Sequence, residues 1–254
     1  MTKGKITKKL LSQLNISTVE ITSKIDINKI SSLIDKSIEQ EVPVAILIKS
    51  GVLQKEKKIS IKNNHNISRS NFIIELLKII RVNDRTISTT GYTSREVYQL
   101  RNKYKLFKGK DFYMVGGMGH SASVALGCSL NVKNKIICLD GDGSALMHLG
   151  SIFTAANYGG KNYKYILLNN EAHESVGGNK TNSENINFKN LALSLGFKNF
   201  FVIKDKKNIK ETITNFYNSK GPDFMEVKIN NETLPNLKRP KDFKEIKRNF
   251  MLMK

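Results

Sequence analysis

Beyond residue 67, the chain alternates short apolar runs with longer segments in which apolar residues recur at helical spacing. The runs predict strands and the spaced segments predict amphipathic helices. The predicted strands are Arg85 to Thr89, Lys135 to Leu139, Tyr163 to Leu168, Asn199 to Ile203 and Phe224 to Ile229. One predicted helix begins after Ser68 or Ser70, either of which can cap its first turn. The other predicted helices cover Ser94 to Arg101, Gly119 to Leu130, Ser144 to Tyr158, Phe188 to Leu195 and Lys207 to Tyr217. This alternation predicts an α/β fold with a doubly wound parallel sheet.

A smaller set of elements precedes this region. Residues 1–51 predict a helix over Lys8 to Leu14, a strand over Thr18 to Ile21, a helix over Ile27 to Gln40 and a strand over Pro43 to Ile48. The polar stretch 52–67 follows them and is typical of a linker. We therefore expect a small α/β piece over 1–51, a linker over 52–67 and a larger domain over 68–254.

The first group of candidate ligands follows the second strand of the larger domain, in the run Asp140-Gly141-Asp142-Gly143-Ser144. Asp142 offers a hard carboxylate oxygen, which suits a magnesium ion that also carries phosphate oxygens. Gly141 and Gly143 let backbone N–H groups approach phosphate oxygens, because no Cβ stands in the way. The helix that follows would point its N-terminus at such a group. A Gly-Asp-Gly turn alone is common in loops without a ligand.

A second group of candidate ligands makes the prediction more specific. The dipeptide Asn169-Asn170 ends the strand Tyr163 to Leu168, and an asparagine side chain offers a neutral oxygen to a metal ion. Both groups then lie at the carboxyl ends of parallel strands, where open α/β sheets bind their ligands. The residues therefore predict a site for a diphosphate and a magnesium ion.

Charge limits the class of protein without identifying it. The chain has 42 Lys and Arg against 22 Asp and Glu, a formal charge of +20, which is a balance often found in nucleic-acid-binding proteins. The lysines are spread over loops and helix faces, however, without interleaved aromatic residues that could stack on bases. We therefore expect no nucleic-acid partner, and the positive field would instead steer an anionic cofactor and substrate.

Hydropathy and cysteine content predict the compartment. No apolar run approaches the length of a membrane span, and the N-terminus lacks the apolar core of a signal peptide. We expect a cytoplasmic protein with no membrane partner. Cys128 and Cys138 lie among apolar neighbours, which is typical of reduced, buried thiols.

Further motifs lie on both sides of the predicted site. Ser88-Thr89-Thr90-Gly91 and the run Tyr113 to His120 (YMVGGMGH) lie upstream, and the run Asn169 to Gly178 (NNEAHESVGG) lies downstream. With Gly-Asp-Gly-Ser, they resemble the thiamine-diphosphate-dependent decarboxylases, and within that family the branch of the phosphonopyruvate and sulfopyruvate decarboxylases. The resemblance covers nearly the whole chain, and it implies the thiamine-diphosphate-binding fold for the larger domain.

The resemblance implies roles at the metal and at the cofactor rings. It assigns magnesium binding to the side chains of Asp142 and Asn170 and to the backbone carbonyl of Ala172, with diphosphate oxygens and water as the other ligands. Met118 matches the apolar residue that wedges between the two rings of the cofactor, although an unbranched Met also suits core packing. Gly116 matches the position whose carbonyl receives the pyrimidine amino group.

The resemblance also implies a set of residues around the diphosphate. These are Thr90 and Gly91 at the end of one strand and the backbone of Gly143 and Ser144 in the Gly-Asp-Gly-Ser turn.

Two histidines are candidate catalytic residues, for proton transfer or for binding an anionic group, because His titrates near neutral pH. His173 is the stronger candidate, since a loop rich in Ser and Gly follows it. His120 is equally consistent with a satisfied histidine at a helix start. His148 and His65 are predicted to face solvent.

Residues 1–51 resemble the C-terminal remnant of a pyrimidine-binding domain. In the family, this domain carries the glutamate that activates the cofactor, and nothing here matches it, since Glu20, Glu39 and Glu41 lie in the wrong elements. The resemblance therefore implies an oligomer in which a pyrimidine-domain chain supplies the activating glutamate. A separately encoded N-terminal half and a truncated reading frame would both explain the arrangement.

With such a partner, the resemblance implies decarboxylation of a small anionic 2-oxo acid, 3-phosphonopyruvate, to phosphonoacetaldehyde and carbon dioxide. No residue separates a phosphonate from a sulfonate, so a sulfopyruvate decarboxylase subunit is the alternative with the same chemistry. An inactive cofactor-binding remnant and a basic nucleic-acid-binding protein are the alternatives from other classes.

Overall fold

The computed structural model describes residues 3–23, 26–54, 63–240 and 242–251. The chain divides into two compact units, Met1–Lys57 and Lys58–Lys254, and each has its own sheet. Half of the predicted linker, residues 55–62, lies outside the described residues. No helix within the described ranges has the length and apolar content needed to cross a membrane.

The smaller unit is a pair of parallel strands with two helices. Its elements are α1 (Lys3–Gln13), β1 (Ser17–Ile21), α2 (Ile27–Gln40) and β2 (Val44–Ile48). Helix α2 makes the crossover that a parallel pair requires, and the Asp26 side chain caps its first turn by accepting from Lys29 N. The predicted order of elements is confirmed, although α1 begins at Lys3 rather than at Lys8.

The larger unit is built on a single six-stranded sheet. Its elements are α3 (Arg69–Ile79), β3 (Arg85–Ser88), α4 (Tyr92–Lys103), β4 (Lys110–Tyr113), α5 (Ser121–Asn131), β5 (Ile136–Gly141), α6 (Asp142–Met147), α7 (Leu149–Tyr158), β6 (Tyr163–Asn169), α8 (Phe188–Leu195), β7 (Asn199–Ile203), α9 (Ile209–Asn218), β8 (Asp223–Lys228) and α10 (Phe243–Met251), with 3₁₀ turns at Glu174–Val176 and Ser183–Asn185. The strand order is β4-β3-β5-β6-β8-β7, and every neighbouring pair is parallel. The predicted doubly wound parallel sheet is confirmed.

Apolar side chains cover both faces of this sheet. On β5, Ile137 and Leu139 belong to one core cluster, whereas Ile136 and Cys138 belong to the other. This division follows from the alternation of side chains along a strand. Helices α3, α4 and α9 contribute to the first cluster, and α5, α7 and α8 contribute to the second. Such two-sided burial explains why the central strands read as continuous apolar runs.

The strand order reverses beside β3. The chain passes from β3 to β4 on one side and then crosses to β5 on the other side. In open α/β sheets, the carboxyl ends of two such strands form a crevice that binds ligands. Thr89 and Thr90 follow β3, and the Gly-Asp-Gly-Ser run spans the end of β5, so both motifs lie at this crevice.

Three elements differ from the sequence prediction. Strand β4 was not predicted, because its sequence, KDFY, has no apolar run and all four residues are half-buried at the sheet edge. The single helix predicted from Ser144 to Tyr158 is two helices, broken at His148 with φ −137° and ψ 54°. Helix α10 was also missed; it packs Phe250 against Phe112 of β4, with ring centroids 5.4 Å apart.

A buried ion pair at the start of β6 provides a test of the fold. Lys164 pairs with Asp223 of β8, and both side chains are fully buried. We expect Lys164→Met to lower the free energy of unfolding by about 3–5 kcal/mol, because it leaves a buried carboxylate without its cation. Urea denaturation measures the change. Lys180→Met is the matched control, since Lys180 lies 3.5 Å from Glu184 in an exposed pair whose loss costs below about 1 kcal/mol. Equal losses in the two variants would contradict the assignment.

Candidate functional site

The loop that follows β3 supplies the first part of the site. Gly91 begins α4 with φ +101° and ψ −140°, a conformation that residues with a Cβ rarely adopt. A Cβ at this position would also lie 3.1 Å from Ser175 Oγ. Glycine at position 91 therefore lets the loop after β3 and the loop after β6 approach each other.

Asp142 is the buried carboxylate of the site. It is the first residue of α6, directly after β5, and only 2% of it is exposed. Its Oδ2 accepts a hydrogen bond from Thr181 Oγ1 and lies 2.9 Å from Ser183 Oγ. Burial raises the pKa of Asp142, and the hydrogen bonds from Thr181, Ser183 and the Gly143 backbone oppose that rise. A nearby cation would relieve the same cost, as expected for a metal ligand.

The two asparagines at the end of β6 point to different partners. Asn169 donates from Nδ2 to Glu226 Oε1 at 2.8 Å. Asn170 donates from Nδ2 to Asn231 Oδ1 at 2.7 Å and to Glu174 Oε2 at 3.3 Å. Because both bonds of the Asn170 side chain use its nitrogen, they direct its Oδ1 away from these partners. This orientation suits a side chain that binds a metal through oxygen.

The backbone of Ala172 has a matching orientation. Ala172 forms an antiparallel bridge with Lys180, in which Thr181 N donates to Glu171 O and His173 N donates to Asn179 O. The bonds of the bridge thus belong to the flanking residues, as in a non-hydrogen-bonded antiparallel pair. The Ala172 carbonyl is left on the other side of the bridge, where it can serve as a ligand.

Ser144 joins three of the loops. Its Oγ accepts from Gly119 N at 2.9 Å and lies 3.0 Å from Thr89 Oγ1. The hydroxyl therefore ties the loop before α5, which carries Met118, to the ends of β3 and β5. Gly119 has φ +86°, and a Cβ there would clash with the ring of His148.

The structure brings most of the predicted site residues into one cleft. The residues that line it include Thr90, Met118, Gly141, Asp142, Gly143, Ser144, Asn170, Ala172 and His173. Gly91, Gly116 and His120 are not among the lining residues, although Gly91 adjoins the cleft through Ser175, which does line it.

The four histidines have distinct surroundings. The ring of His173 lies directly against Gly143, where a Cβ would be 2.4 Å from Cε1 and 2.6 Å from Nδ1. His120 and His148 are exposed, with ring centroids 4.4 Å apart. The prediction that His65 faces solvent is wrong: its Nε2 lies 3.0 Å from Glu171 Oε1, and both side chains are mostly buried, because residues near 63 fold back onto the loop after β6.

Sequence reasoning missed several residues that contact the candidate metal ligands. Thr181 and Ser183 hold Asp142, but they lie far along the chain from it and belong to no recognisable local motif. Glu174 lies within the run Asn169 to Gly178, so its proximity to Asn170 could have drawn attention to it.

The available oxygen atoms fit a magnesium ion that shares its coordination with a diphosphate. Asp142 supplies one carboxylate, Asn170 one amide oxygen and Ala172 one carbonyl, and magnesium usually takes few protein ligands beside phosphate oxygens and water. In the part of the chain that the structure describes, no group of three or more His, Cys, Asp or Glu could hold a metal ion. The fit therefore depends on neutral oxygens around a single carboxylate.

The larger unit is thus an open α/β domain with a cleft at the carboxyl edge of its sheet, and the oxygen atoms of that cleft suit a metal ion and a phosphate group. The family model for the thiamine pyrophosphate enzyme, C-terminal TPP binding domain, matches residues 86–227. The chain belongs to this family. Thiamine pyrophosphate, also called thiamine diphosphate, is the cofactor of the chain.

Curated relatives narrow the comparison. Phosphonopyruvate decarboxylase of Streptomyces hygroscopicus is 35% identical over 155 residues, which make up 61% of this chain and 37% of that protein. Sulfopyruvate decarboxylase subunit beta of Methanothermobacter thermautotrophicus is 32% identical over 156 residues, 61% of this chain and 79% of the subunit. The corresponding subunit of Methanocaldococcus jannaschii is 34% identical over 129 residues, 50% of this chain and 66% of the subunit. The matched region therefore spans under two fifths of the Streptomyces relative but most of the archaeal subunits.

The raised pKa of Asp142 leads to a prediction for stability. The folded form holds the Asp142 proton more tightly than the unfolded chain, so without magnesium this residue adds stability as the pH falls through its folded pKa. Asp142→Asn removes that contribution, because an amide does not titrate. We expect the variant to be at least as stable as the wild type at neutral pH and to show a flatter dependence of stability on pH. Denaturation in chelator over a pH series measures both.

Asp35→Asn is the control for this experiment, since Asp35 is exposed on α2. It should keep the wild-type pH dependence. A pH dependence that is identical for Asp142→Asn and the wild type would show that Asp142 titrates normally.

Proposed function

We propose that this chain carries the diphosphate-binding half of a thiamine-diphosphate-dependent 2-oxo acid decarboxylase, a carboxy-lyase. The substrate that we favour is 3-phosphonopyruvate, which would be converted to phosphonoacetaldehyde and carbon dioxide. The observation that carries the proposal is the cleft in which Asp142, Asn170 and Ala172 meet within the family-matched region. The relatives named as phosphonopyruvate and sulfopyruvate decarboxylases support the reaction class.

Asp142, Asn170 and Ala172 would hold the magnesium ion through one carboxylate, one amide and one carbonyl oxygen. Thr181 and Ser183 keep the Asp142 carboxylate in place. Gly143 and Ser144 would offer backbone N–H groups to the diphosphate, and such groups at a turn form a favourable site for anions.

Residues of the loops after β3 and before α5 would also hold the cofactor. Met118 would pack between its two rings, and Thr90 and Gly91 would lie beside the diphosphate. Gly116 would accept the pyrimidine amino group through its carbonyl. The cofactor supplies the electron sink for decarboxylation, and the protein supplies binding, orientation and exclusion of water.

His173 is our candidate for proton transfer or for binding the substrate anion. Its ring stands over Gly143 in the cleft, so it can reach groups that bind beside the Gly-Asp-Gly-Ser turn. His120 is the second candidate; its ring is exposed and packs on His148. Its position next to Gly119, whose N–H is bonded to Ser144, keeps it close to the cleft.

A partner chain with a pyrimidine-binding domain would supply the activating glutamate, in an oligomer. The smaller unit, with its strand pair β1 and β2, would be the remnant of such a domain. Support comes from the archaeal relatives, which are named as beta subunits and are matched over most of their length. The same relatives favour sulfopyruvate as the second candidate substrate.

Cofactor binding can be measured on the chain alone. We expect calorimetry to show binding of thiamine diphosphate that requires magnesium, with Asp142→Ala abolishing it because the only carboxylate of the proposed metal site is lost. Asp205→Ala is the control, as Asp205 is exposed in the loop before α9. Binding that survives in Asp142→Ala would remove the proposed metal site.

Activity requires the proposed partner. With a pyrimidine-domain chain of a phosphonopyruvate or sulfopyruvate decarboxylase added, we expect carbon dioxide release from 3-phosphonopyruvate or from sulfopyruvate, and the ratio of the two rates identifies the substrate. His173→Ala should lower the rate about 10²- to 10⁴-fold, the range for loss of a general acid or base. His65→Ala, which alters the contact with Glu171, should lower it much less. No release with either substrate would support an inactive cofactor-binding remnant.

A further inference from the structure

We infer that Glu174 is a positioning residue that sets which atom of the Asn170 amide faces the metal, and that Arg69 holds Glu174 in this role. The inference rests on the proposed function of Asn170 as a magnesium ligand. It assigns a task to a buried group of charges, Arg69, Glu96 and Glu174, to which the proposed function gives no role.

The contacts among these residues are direct. Glu174 Oε2 accepts from Asn170 Nδ2 at 3.3 Å and from Arg69 Nη2 at 2.7 Å. Arg69 Nη1 donates to Glu96 Oε1 at 3.2 Å. Arg69, Asn170 and Glu174 all line the cleft, and no more than 7% of any of them is exposed. The carboxylate of Glu174 is thus fixed between a guanidinium and the amide of Asn170.

An asparagine that binds a cation must turn the oxygen of its amide toward the ion. The nitrogen and oxygen of its amide have nearly the same size, and only the oxygen is a metal ligand. The other partner of the Asn170 nitrogen is Asn231 Oδ1, and the amide of Asn231 carries a donor as well as an acceptor. An ionised carboxylate only accepts hydrogen bonds. Glu174 is therefore the partner that forces the nitrogen of Asn170 toward it and the oxygen toward the metal.

Arg69 balances the charge of the Glu174 carboxylate and holds it in position. A buried carboxylate is costly unless a cation pairs with it, and the guanidinium of Arg69 also fixes the place of Glu174 Oε2 beside the Asn170 amide. Arg69 supplies the missing positive charge, and Glu96 fixes the other arm of its guanidinium. Glu96 Oε1 also accepts from Leu234 N at 3.3 Å, which anchors the group to the segment after β8. The charges form a chain from Glu96 through Arg69 and Glu174 to Asn170.

Two substitutions, made singly and together, test the inference through magnesium affinity. In Glu174→Gln, the new amide can donate to Asn170 and allow its oxygen to turn away from the metal. We expect magnesium affinity, measured calorimetrically with saturating thiamine diphosphate, to fall about 10- to 100-fold, as is usual when a partner of a metal ligand is lost. In Asn170→Asp, either oxygen can face the metal, so the orienting role of Glu174 is no longer needed.

The effect of Glu174→Gln should therefore change sign in the Asn170→Asp background. There the native Glu174 repels the introduced carboxylate, whereas a glutamine can donate to it, so adding Glu174→Gln should leave magnesium affinity equal or higher. A general structural defect would instead lower the affinity in both backgrounds. Glu184→Gln is the matched control in the same loop, because Glu184 is exposed and pairs with Lys180. It should match the wild type.

The outcomes separate the two proposals. Magnesium affinity that is unchanged by Glu174→Gln in the wild-type background, or lowered equally in both backgrounds, would overturn the positioning role alone. A wild-type chain that binds no thiamine diphosphate with magnesium would overturn the proposed function and this inference with it. Arg69→Met should mimic Glu174→Gln in magnesium affinity, and thermal unfolding of each variant identifies any that fails to fold.

Discussion

The parallel direction of all six strands in the larger unit is the constraint from which the site follows. Parallel strands end at the same edge, so the loops after β3, β5 and β6 emerge together without any special arrangement of the chain. The faces of the sheet are covered mainly by apolar side chains, and Asp142 and Asn170 lie at the strand ends.

At that edge, polar side chains stabilise the buried carboxylate of Asp142. A buried carboxylate is costly unless donors or a cation surround it, and Asp142 has Thr181 and Ser183 beside it. The amide of Asn170 carries no charge, so it has to be oriented rather than neutralised. Each side chain is thus paired with groups of complementary chemistry: hydroxyl donors for the Asp142 carboxylate, and a carboxylate acceptor for the Asn170 amide.

Local pattern was sufficient for the elements that are apolar and buried, such as β5 and β6, and for the positions of Asp142 and Asn170 at their ends. The pattern failed to predict β4, where half-buried Lys110 and Asp111 interrupt the apolar residues. It also failed to predict the break between α6 and α7 at His148, whose ring packs against Gly119. Thr181, Ser183 and Glu174 act on the ligands through tertiary contacts. Periodicity carries no information about such contacts. Only a residue that lies close to a recognised motif in sequence, as Glu174 does, could have been suspected.

The segment from Glu171 to Ser183 limits how the sequence of this protein can evolve. Surface loops usually accept insertions and deletions, but this one contains the Ala172 carbonyl, His173, Glu174, Thr181 and Ser183, each set by its distance along the chain from Asn170. A single inserted residue would displace support for both side-chain ligands at once. Variation should therefore be confined to exposed side chains outside the cleft, such as Lys180, and the length of the loop should be inherited as a unit.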